Sequence, residues 1–175
     1  MVKRNLVFIF IAFSFSCCVQ AARYGVSLGT ATWQEKIPVV FNGLESKQST
    51  SFTGTGFGFS RLDELTKGWY WDTNLSSIIG LADVQQVSGA VAPRRNATSF
   101  WMGNRFVKRL GEKVGIGPNI LVNMRKIDGL NMAISSGLFV DIDFVILEKS
   151  ILTQSLGTIS DSKQLAYFIR FSRYF

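Results

Sequence analysis

The last eleven residues of the chain, LAYFIRFSRYF, alternate between apolar and polar positions with a period of two. Such an alternation predicts a β-strand, because successive side chains of a strand point to opposite faces. Two kinds of strand fit: one half-buried in a soluble sheet, or one with hydrocarbon on one side and a polar lumen on the other. Arg173 is the one interruption of the apolar face, which is formed by Leu165, Tyr167, Ile169, Phe171 and Phe175.

The same period recurs along the chain and predicts eight strands, of which the seventh has the poorest alternation. Four residues, Trp101, Leu121, Phe168 and Tyr174, place large side chains on an otherwise polar face. Pro118 indicates a bulge or a missing ladder bond. Long loops are predicted at 34–50 and 82–97, and short connections at 63–67, 110–113 and 127–131. The predicted strands are 22–33, 51–61, 68–81, 99–109, 114–126, 132–144, 150–158 and 164–175.

The glycine and charged residues of the polar face decide between the two kinds of strand. Glycines concentrated on one face suit a crowded interior, since eight strands enclose room for little more than their own side chains. The sequence therefore predicts an all-β fold, an eight-stranded antiparallel up-and-down transmembrane β-barrel with its apolar face outward. Closure requires the last strand to pair with the first, because no strand edge can stay open in lipid. Two alternatives remain: a soluble periplasmic lipocalin-like barrel carrying a small apolar ligand, and a narrow barrel that passes small hydrophobic molecules.

The N-terminal segment 1–21 is typical of a signal peptide, with Lys3 and Arg4 before a short apolar stretch and a small residue, Ala21, at its end. Both cysteines of the chain, Cys17 and Cys18, lie in this segment. The barrel domain is expected to span 22–175. Without Lys3 and Arg4 the formal charge of +7 becomes +5, and export makes nucleic acid an improbable partner. The chain is 47 % hydrophobic and 18 % charged, which amphipathic strands explain without a transmembrane helix.

Candidate chemistry centres on Asp141 and Asp143, which share one strand face. Such a pair could serve acid–base chemistry or a hard cation, but buried charges need partners. The stronger prediction is a charge network in the lumen, formed by Arg105, Arg125, Asp141, Asp143 and Arg170. The chain contains no histidine, so a Ser-His triad is excluded. We expect no enzymatic activity, no cofactor and no metal site.

The amphipathic strands, the signal peptide and the C-terminal strand ending in phenylalanine together resemble the small OmpA/OmpX-type outer-membrane β-barrels of Gram-negative bacteria. The resemblance implies a location in the cell outer membrane and a membrane-structural or loop-mediated surface role. It further implies that the barrel-assembly machinery reads the terminal strand through Tyr167, Ile169, Phe171 and Phe175. Expected partners are outer-membrane lipids including lipopolysaccharide, whose phosphates Arg94 and Arg95 of the second long loop could contact. A monomer is expected.

Overall fold

The computed structural model describes residues 22–41, 44–84, 94–160, 162 and 164–175. The predicted signal peptide and residues 85–93 of the second predicted loop lie outside these ranges. The strands are β1 (Arg23–Phe41), β2 (Leu44–Thr66), β3 (Trp69–Val84), β4 (Arg95–Arg109), β5 (Val114–Ile127), β6 (Ala133–Leu147), β7 (Ser150–Ile159) and β8 (Leu165–Tyr174).

The eight strands form a closed antiparallel barrel in chain order, which confirms the predicted fold class. The seam joins β1 to β8, with pairs running from Gly25 opposite Tyr174 to Thr32 opposite Tyr167. The backbone N–H of Phe175 adds a hydrogen bond of 2.8 Å to the carbonyl of Tyr24. Closure pairs the backbone N–H and C=O groups at the edges of β1 and β8, as is required of a strand that faces lipid. Within the described ranges no helix is long and apolar enough to cross a bilayer.

Two predicted connections are wrong, and a third, 82–97, is shorter than predicted because β3 extends to Val84 and β4 begins at Arg95. Residues 34–41 and 44–50 belong to β1 and β2, which pair from Gln34 opposite Ser51 up to Phe41 opposite Leu44. Pro38 and Asn42-Gly43 indicated a loop there, although β1 and β2 continue to pair with each other beyond the point where each loses its other neighbour. The segment 63–67 likewise belongs mostly to β2, and the chain turns at Gly68, whose φ of 79° favours glycine.

We call the end of the barrel where β1 begins and β8 ends the terminal end. The opposite end, where β1 and β2 extend as a hairpin, is called the far end.

The apolar side chains face outward and the charged side chains face inward. Exposed residues include Leu28, Phe59, Ile79 and Ile134, whereas Asp72, Arg105, Asp141 and Asp143 are buried. A soluble carrier would need the opposite arrangement. A depression of about 630 Å³ lies on the outer face of β1 to β3 and not inside the barrel. The apolar face is thus directed toward the surroundings, as in a membrane barrel.

Glycine lets the wall from β1 to β3 bend tightly. A Cβ added to Gly56 or Gly80 would meet the backbone of the neighbouring strand, at Ser77 and Thr53 respectively. These inward-facing glycines therefore permit a close backbone approach that alanine would not. On β5, Pro118 lies where the pairing with β4 is interrupted, between Asn119 opposite Arg105 and Ile116 opposite Lys108. The expected missing ladder pairs at Pro118 are confirmed.

Candidate functional site

Arg105 is the centre of a buried charge cluster near the terminal end of the lumen. Its Nε lies 2.5 Å from Asp72 Oδ2, and its Nη1 lies 2.5 Å from Asp143 Oδ1 and 3.6 Å from Asp141 Oδ2. Arg170 reaches Asp72 Oδ2 at 3.1 Å. We call these five residues the charge layer. The strands β3, β4, β6 and β8 contribute to it, so it crosses the full width of the lumen.

Neutral side chains complete the charge layer. Asn119 Nδ2 donates to Asp141 Oδ2 at 2.9 Å, Thr153 Oγ1 donates to Asp143 Oδ1 at 2.7 Å, and Tyr174 Oη approaches Asp72 Oδ2 at 3.4 Å. Two guanidinium groups thus face three carboxylates. Buried ions need such pairing and hydrogen bonding. Four buried atoms of the layer have no hydrogen-bond partner in the described protein: Asp72 Oδ1, Asp141 Oδ1, Arg105 Nη2 and Arg170 Nε.

A second ion pair lies nearer the far end, where Glu35 receives four donors. Arg125 Nε donates to Glu35 Oε2 at 2.6 Å, and Trp33 Nε1 donates to Oε1 at 3.1 Å. Ser135 Oγ and Asn123 Nδ2 approach the same Oε1 at 3.3 and 3.4 Å. Arg125 therefore does not join the other predicted network residues but pairs with a residue of β1.

An aromatic layer fills the lumen beside the Glu35 pair. Trp33 stacks on Phe52 with ring centroids 4.8 Å apart and meets Trp101 edge-on at 5.1 Å. Phe168 packs edge-on against Trp101 at 4.8 Å and against Phe139 at 5.2 Å. The lumen, predicted to be polar and filled by side chains, is filled at this level by rings that pack with other buried apolar side chains.

A cavity of about 50 Å³ borders both Trp101 and Phe168 of the aromatic layer and Arg170 of the charge layer. Asn74 and Asn119 also line it, and each has a buried polar atom without a partner in the described protein. A polar cavity of this size suits a few ordered waters. It is far below the 300–1,000 Å³ of a typical small-molecule pocket. The interior therefore does not suit the apolar ligand of a lipocalin-like carrier.

The predicted loop cations lie at the far end. Arg94 Nε pairs with Asp83 Oδ1 at 3.0 Å and both side chains are exposed. Arg95 Nη1 donates to the carbonyl oxygen of Asp128 at 3.2 Å. Among the residues that the structure describes, no group of His, Cys, Asp or Glu could hold a metal ion.

The residues predicted as an assembly signal share the outer face of β8. Tyr167 and Phe171 are about 40 % exposed, and Phe175 is 71 % exposed at the end of the seam. Ile169 is partly exposed between them. Nothing inside the barrel depends on these rings, so they are accessible to lipid or to another protein.

Two charged residues were missing from the predicted network. Asp72 faces inward on β3, between the outward Trp71 and Thr73, and its alternation could have identified it. Glu35 shares a face with Ala31 and Trp33, but the assignment of 34–50 to a loop hid it. If the alternation of β1 had been extended two residues beyond Trp33, Glu35 would have been placed in the lumen.

A scan of the sequence against protein-family models found no match, and a search of curated proteins found no similar sequence. Solved structures do match. Ail from Yersinia pestis in a phospholipid bilayer nanodisc has a TM-score of 0.51 and 13 % identity, covering 89 % of this chain and 100 % of that one. OprG from Pseudomonas aeruginosa has a TM-score of 0.54 and 12 % identity, covering 90 % and 97 %. Ail in complex with the heparin analogue sucrose octasulfate has a TM-score of 0.51 and 11 % identity, covering 89 % and 99 %.

The chain has the fold of the small eight-stranded outer-membrane barrels. At these identities the likeness concerns the fold alone. It agrees with the resemblance to OmpA/OmpX-type barrels, and with the outer-membrane location, that the sequence predicts.

Proposed function

We propose that this protein is an outer-membrane barrel with a closed lumen, and that it uses its far end to bind phosphate- or sulfate-bearing saccharides at the cell surface. The observation that carries the proposal is the β1–β2 hairpin. Thr50 is the residue of β2 nearest the far end that pairs with β3. Beyond it, six residue pairs join β1 to β2 alone, without a third strand. At about 3.3 Å per residue this projection is about 20 Å long.

The orientation follows from the lengths of the connections. Outer-membrane barrels have short turns on the periplasmic side and longer connections outside. The turns at the terminal end are short, for example Lys67–Gly68, whereas the far end carries the hairpin and the segment between β3 and β4. We therefore assign the terminal end to the periplasm and the far end to the cell surface.

Charge supports an anionic partner at the far end. Lys36, Lys47 and Lys126 are exposed cations there, besides Arg94 and Arg95. Phosphate and sulfate groups attract such side chains. Lipopolysaccharide is the expected source of phosphate, while the Ail complex with sucrose octasulfate suggests sulfated saccharides as a second source. The chemistry is shared, so the two sources must be distinguished experimentally.

The test replaces residues 37–48 with Asn-Gly, a two-residue hairpin turn, in the full chain. Purified wild-type and shortened proteins in detergent are titrated with lipopolysaccharide and, separately, with sucrose octasulfate. We expect the shortened protein and an Arg94→Gln/Arg95→Gln variant to lose affinity for at least one of the two ligands. Retention of heat-modifiable gel mobility controls for folding. Unchanged affinity in both variants, or no binding by the wild type, would refute the surface-binding role.

The remaining expectations belong to the same proposal. The protein acts as a monomer without enzymatic activity, and the barrel-assembly machinery recognises β8. Passage of small hydrophobic molecules through the wall is not favoured, since each of the described strands pairs with both neighbours. Requirement for detergent during extraction separates this reading from the soluble carrier.

A further inference from the structure

The outer face of β2 to β4 changes character near the terminal end. There it carries polar and aromatic side chains, whereas the corresponding outer face of β5 and β6 stays apolar with Val114, Ile116, Ile142 and Phe144. We call this region the β2–β4 patch. It consists of Arg61, Asp63, Trp69, Trp71, Thr73, Asn104, Phe106 and Lys108.

Hydrogen bonds organise the part of the patch that lies farther from the terminal end. Thr73 Oγ1 donates to Asn104 Oδ1 at 2.8 Å, and Trp71 Nε1 donates to the same oxygen at 3.1 Å. Arg61 Nε pairs with Asp63 Oδ1 at 3.1 Å, and this carboxylate is nearly fully buried against the outer wall. A polar surface of this kind is costly against acyl chains but suits the level of glycerol esters and headgroups.

An aromatic platform with a cation above it forms the rest of the patch. The rings of Trp69 and Phe106 stack with centroids 4.8 Å apart. Lys108 Nζ lies 4.7 Å from the centre of the Trp69 ring. Tryptophan and lysine together are typical anchors at the boundary between hydrocarbon and headgroups. Here the ammonium is held at the rim, where a lipid phosphate would lie.

The local charge is positive. Arg61, Lys67, Lys108 and Arg109 lie at this part of the rim, and the adjoining carboxylates are Asp63 and Glu64 of β2 and Glu112 of the turn after β4. Arg109 packs over Tyr70 at 5.2 Å on the lumen side of the rim, so it adds to the charge of the rim but not to the outer face. The patch therefore offers more positive charge than its own carboxylates neutralise.

We propose that the β2–β4 patch is a binding site for one anionic phospholipid of the periplasmic leaflet. Lys108 contacts the phosphate, the Trp69–Phe106 platform supports the glycerol region, and Thr73 with Asn104 lies at the level of the ester groups. The proposal rests on the membrane insertion proposed above and adds a specific lipid to it.

The experiment reconstitutes the full chain into nanodiscs containing equal amounts of phosphatidylglycerol and phosphatidylcholine. Native mass spectrometry after release measures the ratio of the two lipids that stay bound. Each basic residue near a membrane surface contributes about fivefold in preference for anionic lipid. We therefore expect phosphatidylglycerol to be enriched about fivefold or more on the wild type, and Lys108→Gln to reduce that enrichment about fivefold.

Arg173→Gln is the matched control, because Arg173 is also an exposed, outward-facing cation at the terminal end but lies on β8, outside the β2–β4 patch. It should keep the wild-type ratio. A wild-type ratio near one, or equal losses in both variants, overturns the lipid site while leaving the barrel function intact. A protein that remains soluble without detergent and does not enter nanodiscs would instead refute the membrane insertion itself.

Discussion

At the scale of single residues, Arg105 carries the largest energetic consequence. Its guanidinium contacts Asp72 and Asp143 at 2.5 Å in a fully buried site. Arg105→Met would leave buried carboxylates without their partner, so we expect the free energy of unfolding to fall by about 3–5 kcal/mol. Urea unfolding of the refolded barrel measures it. Arg94→Met, which removes an exposed pair, should cost less than about 1 kcal/mol, and equal losses in the two variants would contradict this ranking.

Glu35 and Arg125 provide a second test at this scale, because they form an ion pair separate from the charge layer. A double-mutant cycle with Glu35→Gln and Arg125→Met should give a coupling energy of about 1–3 kcal/mol. The cycle of Glu35→Gln with Arg105→Met should be additive within about 0.5 kcal/mol, since the two residues share no partner. Comparable coupling in both cycles would mean that the lumen is a single network.

At the scale of elements, substitutions in and next to β8 can distinguish effects on the stability of the barrel from effects on its assembly. Leu165 and Phe175 are exposed on the outer face at opposite ends of this strand, at 63 % and 71 %. Phe175→Ala should lower the amount of heat-modifiable protein recovered from the outer membrane severalfold, whereas Leu165→Ala should not. Both variants should refold equally well in detergent, because neither side chain packs inside the barrel. Equal recovery from cells would argue against a terminal recognition signal.

The element scale also shows what the sequence can predict and what it cannot. The eight strands, and the outward faces of all but the seventh, follow from the period of two, because lipid and lumen impose opposite polarities on alternate residues. Three of the four exceptions to that pattern, Trp101, Leu121 and Phe168, belong to or pack against one buried cluster, whereas Tyr174 belongs to another. Their partners Trp33, Phe52 and Phe139 come from other strands. Alternation identifies the face of a residue but not its height in the barrel, so the aromatic layer could not be predicted.

The same reasoning explains the outcome for the charge network. The inward faces of Arg105, Asp141, Asp143 and Arg170 are evident from alternation, but pairing depends on the stagger between strands. Arg105 lies opposite Asp72 on β3 and Asn119 on β5, while Arg125 lies farther along β5 and reaches Glu35 across the lumen. Register of this kind is set by all eight strands together, and a single sequence does not reveal it.

At the scale of the whole molecule, the two ionic clusters and the aromatic layer close the lumen. Eight strands leave no wide bore, and the cavity between the layers measures about 50 Å³. We therefore expect no conductance comparable to that of a wide porin when the protein is inserted into planar lipid bilayers. The conductance of the wild type is compared with that of a variant carrying both Trp101→Ala and Arg105→Met, which weakens the aromatic layer and the charge layer. Porin-like current through the wild type would contradict the closed lumen.

The buried ion pairs connect parts of the chain that are far apart in sequence. Glu35 and Arg125 are 90 residues apart, and Asp72 and Arg170 are 98 residues apart. Neither pair can form until most of the strands have met, so the nascent interior must remain hydrated while the ring is incomplete. We therefore expect most of that water to leave as the first and last strands meet. Insertion should accordingly follow slow, single-phase kinetics, as expected for a topology dominated by long-range contacts.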